Sequence, residues 1–178
     1  MPTTAITDAC ICLDIWHGRL LPHLYLPGLR WVIPDVVAAT ELKRPPREVF
    51  EQAGMAIASA TGDEVSAVAK LKPAYQKLST GDLFALVLAK RPHTILLSGD
   101  GDLRAAAVKE GVEVHGVLWL LDQLEAQHLP AVQLADALEA MLKNGARLPP
   151  EECASRLKRW RQLTAQELDV LLEALKKI

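Results

Sequence analysis

No apolar run in this sequence approaches the ~20 residues that a membrane-spanning helix needs. Residues 1–8 contain no Lys or Arg, so the basic start of a secretory signal is missing too. The expectation is a soluble, cytoplasmic protein with no membrane partner. Cysteine is scarce: Cys10, Cys12 and Cys153 form an odd set, and Cys-x-Cys spacing fits neither a zinc knuckle nor a redox Cys-x-x-Cys. The three read as buried free thiols of a reducing compartment. Aromatic residues are only 4% of the chain, and the four tryptophans read as core or rim residues, not as base-stacking platforms. Surplus charge is absent as well, with 20 Lys+Arg against 22 Asp+Glu for a net of −2. That excludes the strongly basic footprint of a generic nucleic-acid binder, so any such contact must be local. There is no Gly-rich phosphate loop with its lysine, no Gly-x-Ser-x-Gly elbow, and no ligand spacing among the five histidines.

What is abundant is alanine and leucine, 25 and 30 of 178 residues, in a composition that is 50% hydrophobic and 24% charged. This is a globular composition weighted towards helix. Apolar runs at 4–7, 29–33, 55–58, 93–97 and 112–117 read as strands, and the segments between them as helices. Asp35 is expected to cap a helix over 36–44 that Pro45-Pro46 stops. Ser79-Thr80-Gly81-Asp82 is expected to open a helix whose body, 83–89, is apolar on every face and so must be buried all round. Strands alternating with helices imply an α/β fold of three α/β/α layers around a mainly parallel sheet. Beyond residue 128 the strands stop. Residues 129–178 show helical stripes, with Thr164-Ala165-Gln166-Glu167 as a capping box before the last one. Eight basic and seven acidic residues give this stretch +1 against −3 for residues 1–128. It reads as a C-terminal helical extension of a domain spanning 1–128. Its basic cluster, Arg156, Lys158, Arg159 and Arg161, reads as a solvated helix face before it reads as a nucleic-acid surface.

Five acids attract chemical interest. Asp8 ends the first strand inside an apolar run, and Asp100 and Asp102 follow the strand at 93–97. In a parallel sheet the carboxyl ends of the strands share one edge, where ligands bind. Asp82 lies in the first turn of the apolar helix, and Glu41 lies one turn beyond Val37 on the same face. Four of the five have a plain structural alternative: Asp82 and Asp102 as helix-start acids, Asp100 as a turn residue, Glu41 as a solvated helix residue. Asp8, flanked by apolar residues, has the weakest one. Converging carboxylates repel one another unless a cation sits among them, and Mg²⁺ or Mn²⁺ suits such an oxygen-rich set.

In order and spacing these segments resemble the PIN-domain family, which includes VapC-type toxin ribonucleases and RNA-processing nucleases. Thr7-Asp8 matches the family's acid at the end of strand one, and Ala39-Thr40-Glu41-Leu42 its helical glutamate. Ser79-Thr80-Gly81-Asp82-Leu83 matches the aspartate that opens an apolar helix, and Ser98-Gly99-Asp100-Gly101-Asp102 the closing acidic motif. The resemblance covers about residues 4–127. It implies that Asp8, Glu41, Asp82 and Asp100 are catalytic and hold one or two Mg²⁺ or Mn²⁺ ions, with Asp102 as an outer ligand and Ser98 as a hydrogen-bonding support. Lys43, Arg44 and Arg104 are then the nearest candidates for phosphate contacts. The activity implied is endonucleolytic hydrolysis of RNA by a metal-activated water, leaving 5′-phosphate and 3′-hydroxyl ends. An antitoxin partner and a homodimer are implied in the same way. Two alternatives stay open: an RNA-processing nuclease without an antitoxin, and a non-catalytic PIN fold that binds protein or RNA. A Toprim-type site built on Glu41, Asp100 and Asp102 is a third, and it would not need Asp8 or Asp82.

Overall fold

The computed structural model describes residues 2–177. In chain order the elements are β1 (Thr4–Thr7), α1 (Ala9–His17), β2 (Arg30–Pro34), α2 (Asp35–Thr40), α3 (Arg47–Gln52), β3 (Ala56–Ala58), α4 (Gly62–Leu71) and α5 (Thr80–Leu88). There follow β4 (Thr94–Leu97), α6 (Gly101–Lys109), β5 (Val114–His115), α7 (Val117–Ala126), α8 (Ala131–Lys143), α9 (Pro150–Arg161) and α10 (Ala165–Leu175). All strand pairs are parallel, in the order β3-β2-β1-β4-β5. Side chains alternate across a strand, and here the alternation divides two cores. Ala5, Trp31, Ile33, Ile95 and Leu97 face one side with α1, α7, α8 and α9. Ile6, Val32 and Leu96 face the other with α4, α5 and α6. The result is the three-layer α/β/α arrangement that the alternating pattern implies. Among the described residues, no helix is long and apolar enough to cross a membrane.

Three elements differ from the sequence expectation. The helix expected over 36–44 stops at Thr40. Leu42 turns into the core and is buried, with its N–H on the Val37 carbonyl (3.3 Å), while Pro45 disfavours helical geometry at Arg44. Asp35 is not the cap: Pro34 holds that position, and the Asp35 carboxylate accepts from the Val36 N–H (2.7 Å). The strand expected over 112–117 shrinks to Val114–His115, because Val117 begins α7, whose buried Leu120, Leu121 and Leu124 pack on the first core. Helix α5 is also less enclosed than expected. Its body is buried except at Phe84, which is only partly so, and in the turn ahead of it Thr80 is exposed and Asp82 half-buried.

The C-terminal helices are joined to the first core. Leu134, Leu138 and Met141 of α8, and Cys153, Leu157 and Trp160 of α9, share one apolar cluster with Ala5. Each fully buried side chain of that size stabilises by ~1.5–3 kcal/mol. The basic cluster of α9 is not an open solvated face. Arg156 grips Asp122 of α7 (Nε–Oδ1 2.9 Å), Arg159 reaches Glu125 (Nε–Oε1 3.0 Å), and Arg161 pairs with Asp136 and Glu139 of α8. Of the cluster, only Lys158 makes no ion pair among the described residues. Cys12 and Cys153 are buried, whereas Cys10 is exposed, against expectation, on the face of α1 that borders Gly99 and Asp100. Trp31 and Trp160 are core residues, and Trp16 is 39% exposed.

Candidate metal centre

The strand order places β1 and β4 side by side, with the chain leaving them for opposite flanks of the sheet. In open parallel sheets that switch point forms a crevice beyond the carboxyl ends of the strands. Asp8 follows β1 there, and Ser98 to Asp100 follow β4. Asp8 is 3% exposed. It caps α1 by accepting the Ile11 N–H (2.8 Å), and its other oxygen accepts the Ser98 hydroxyl (2.5 Å). Ser98, fully buried, also accepts the Asp100 N–H (3.0 Å). Asp100 caps α6 through the Leu103 N–H (2.8 Å). One serine thus ties the two acids together.

Across the crevice a second serine does the same. Ser79 and Asp82 form a capping box at the start of α5: Ser79 N–H donates to Asp82 (2.8 Å), and Asp82 N–H to Ser79 Oγ (3.0 Å). The Ser79 hydroxyl donates in turn to Glu41 Oε1 (3.3 Å), at the C-terminal end of α2. Gly81 makes this approach possible. A Cβ at that position would stand 2.1 Å from Glu41 Oε1.

Electrostatics couples the two pairs. Burial pushes the Asp8 carboxyl up to about 6, against hydrogen bonds that pull it down, and the Asp82 charge adds to the rise. Glu41 is likewise raised, by desolvation first and by Asp82 second. Among the described residues, no Lys or Arg forms an ion pair with Asp8, Glu41, Asp82 or Asp100. Uncompensated carboxylates of this kind suit a hard divalent cation. Yet no three His, Cys, Asp or Glu side chains among the described residues converge closely enough to share one ion. The caps on α1, α5 and α6 hold the carboxylates against their own helices, in two pairs.

The other expected site residues are placed differently. Asp102 turns away towards Lys77 (4.0 Å) and joins neither pair. Lys43 and Arg44 are exposed in the turn after Glu41 and carry no carboxylate partner among the described residues. Arg104 is half-buried and donates to the Ser98 carbonyl (3.1 Å), bracing the β4–α6 turn. Two contributors escape a reading of the sequence. Ser79 reads there as a cap alone. Asp14 is half-buried beside Cys10, and desolvation together with Asp8 pushes it up to about 7. It is the sole acid within the apolar stretch 9–16, which is the signal that could have marked it.

Fold and site together define a three-layer parallel α/β domain with an acidic crevice at its strand switch point. A family model described as a PIN domain (DUF3368) matches residues 18–162. The chain therefore belongs to the PIN-domain family, which removes the Toprim reading. PIN domains are in general nucleases and typically use divalent metals. The matched segment begins after Asp8 and continues beyond residue 128 into α9. No curated protein and no solved structure matches the chain.

Proposed function

We propose that this chain is a metal-dependent endoribonuclease and the toxin of a toxin–antitoxin pair. The observation that carries the reading is the buried Asp8 carboxylate, with no ion pair among the described residues and raised further by Asp82 across the crevice. Asp8, Glu41, Asp82 and Asp100 would hold one or two Mg²⁺ or Mn²⁺ ions. Mg²⁺ keeps several of its own waters and needs only one or two direct carboxylates, which agrees with acids arranged in pairs. Such an ion supplies a water made nucleophilic at neutral pH and neutralises charge on the phosphodiester. The remaining work falls to the chain. Ser98 orients Asp8 and the Asp100 backbone, Ser79 orients Glu41 and Asp82, and three of the four acids, Asp8, Asp82 and Asp100, are held as helix caps. Lys43 and Arg44, beside Glu41, would steady the RNA phosphates on one flank, and Arg104 on the other. The products would carry 5′-phosphate and 3′-hydroxyl ends. A small antitoxin and a second copy of the chain are the proposed partners, and cytoplasm the proposed location.

Labelled RNA incubated with Mn²⁺, Mg²⁺ or EDTA tests this reading, beside Asp8→Asn and Asp82→Asn variants. Cleavage should require metal and fall by roughly 100-fold or more in both variants, with circular dichroism unchanged. A second reading has one observation in its favour: among the described residues no three acids meet at a point. It is a non-catalytic PIN fold that binds RNA or protein, and RNA left intact with no metal uptake by calorimetry would establish it over the nuclease.

A further inference from the structure

A hollow of about 490 Å³ adjoins the acidic crevice, and of its lining only Ser98 and Arg104 take part in the chemistry above. It shares Ser98, Gly99 and Gly101 with the end of β4, so it continues directly from the reactive edge. Its size is that of a small-ligand site. On its far wall His115 and Trp119 lie face to face, with ring centroids 4.2 Å apart and planes 14° from parallel. The His115 Nε2 is fixed by Glu113 (2.8 Å), and the ring keeps 26% of its side-chain surface open. Trp119 is half-buried, anchored on the first core along one edge. The pair is therefore a partly open aromatic stack.

The charges around it are sorted. Arg156 takes up the acids of the hollow, pairing with Asp122 and Glu152. Arg104 bonds only a carbonyl, and Arg147 forms no ion pair or hydrogen bond among the described residues. Two guanidinium groups thus stand uncompensated next to an aromatic stack. Arg147 also borders the adjoining hollow that contains Asp14 and Asp100, so it stands where the two meet. Aromatic faces beside a positive groove are how proteins hold unpaired nucleotides, through stacking and phosphate contact.

We infer that this hollow is a subsite for one unpaired nucleotide of the RNA strand adjacent to the cleaved phosphodiester, its base on the His115–Trp119 platform and its phosphate on Arg147. The inference rests on the nuclease reading for its substrate and makes the enzyme selective for single strands. The loop that carries Arg147, between α8 and α9, then serves the site as a substrate wall. A fully paired helix cannot offer a base to the platform.

The test is fluorescence anisotropy with a short fluorescein-labelled single-stranded RNA, in EDTA and again in Ca²⁺. Trp119→Ala should weaken binding roughly tenfold, from the loss of one stacked base, while Trp119→Phe retains most of it. Arg147→Ala should lower the slope of log affinity against log salt by about one. A duplex of the same sequence should bind more weakly than the single strand. Thermal denaturation checks the fold of Trp119→Ala, and the Phe and Arg147 variants carry the test if it is unstable. Equal affinity in all variants, preference for the duplex, or no binding of the single strand in either buffer overturns the subsite. Cleavage that persists while these variants bind normally sinks the subsite alone. Binding that depends on Trp119 without any metal-dependent cleavage sinks the nuclease reading alone.

Discussion

Replacing Asp8 by asparagine should make the protein more stable at pH 8. Asp8 keeps its proton in the folded chain up to about pH 6, but gives it up near 3.8 when exposed. Its contribution to folding is therefore fully present below pH 3.8 and is lost as pH rises through 6. The gap corresponds to a cost of ~3 kcal/mol at pH 8, and of about half a kcal/mol at pH 4. The amide of the Asp8→Asn variant would carry no charge, still accept the Ile11 N–H, and present its NH₂ to the Ser98 oxygen. For a chain of this length a change of that size moves the melting temperature by roughly 6–12 °C. The assay is thermal denaturation of both proteins at pH 4 and pH 8, with and without Mn²⁺. The variant should gain at pH 8 and hardly differ at pH 4. Asp14, also raised, acts in the same direction in both proteins, and because part of its rise comes from the Asp8 charge, its cost shrinks in the variant and adds to the gain at pH 8. Added Mn²⁺ should stabilise the wild type at pH 8 more than the variant, because a cation removes the cost that the substitution has already removed. A variant less stable than wild type at pH 8, or equally stabilised at both pH values, would refute the argument that Asp8 is an uncompensated buried charge.

Two further outcomes are expected. Gly81→Ala favours helix α5 by about 1 kcal/mol of intrinsic propensity, but its methyl group would meet Glu41 Oε1 at 2.1 Å and Val37 Cγ2 at 3.1 Å. The flexible Glu41 carboxylate must swing away, so thermal stability should change little while metal-dependent RNA cleavage falls. Unchanged cleavage would mean that the position of Glu41 is not used. Arg156→Ala removes a two-pronged contact to Asp122 and leaves that acid beside α9 with only the more distant Arg159 guanidinium (3.8 Å). Urea denaturation should report a loss of ~1–3 kcal/mol, and a loss near zero would mean that the ion pairs only decorate an interface held by Leu157 and Trp160.

Several elements were legible because their determinants are local. Asp8 stands out where an apolar run meets a helix start, and the spacing Ser79-x-x-Asp82 is a capping box readable from four residues. The alternation of Ala5 with Ile6, and of Ile95 with Leu96, already implies a sheet covered on both faces. Thr164 and Glu167 announce α10 in the same way, and the structure forms that box. The extent of α2 was not legible. Its end depends on where Leu42 finds room in the core, and that moves Glu41 from the middle of a helix to the capping position just past its end.

What the sequence alone determined is the set of short-range facts: strand and helix periods, caps, the order of the acids, and through them the α/β class. Tertiary structure decided which distant groups meet. Ser79 reaches Glu41 across 38 positions, Ser98 reaches Asp8 across 90, and Arg156 and Arg159 are claimed by acids 34 positions earlier. Trp119, expected in the core or at its rim, is left half-buried with its ring stacked on His115. Caps and periods act over one or two turns of chain and leave a pattern in the residues. Charge pairing, burial and repulsion depend on separation in space, which is set only when both apolar faces of the sheet have been covered.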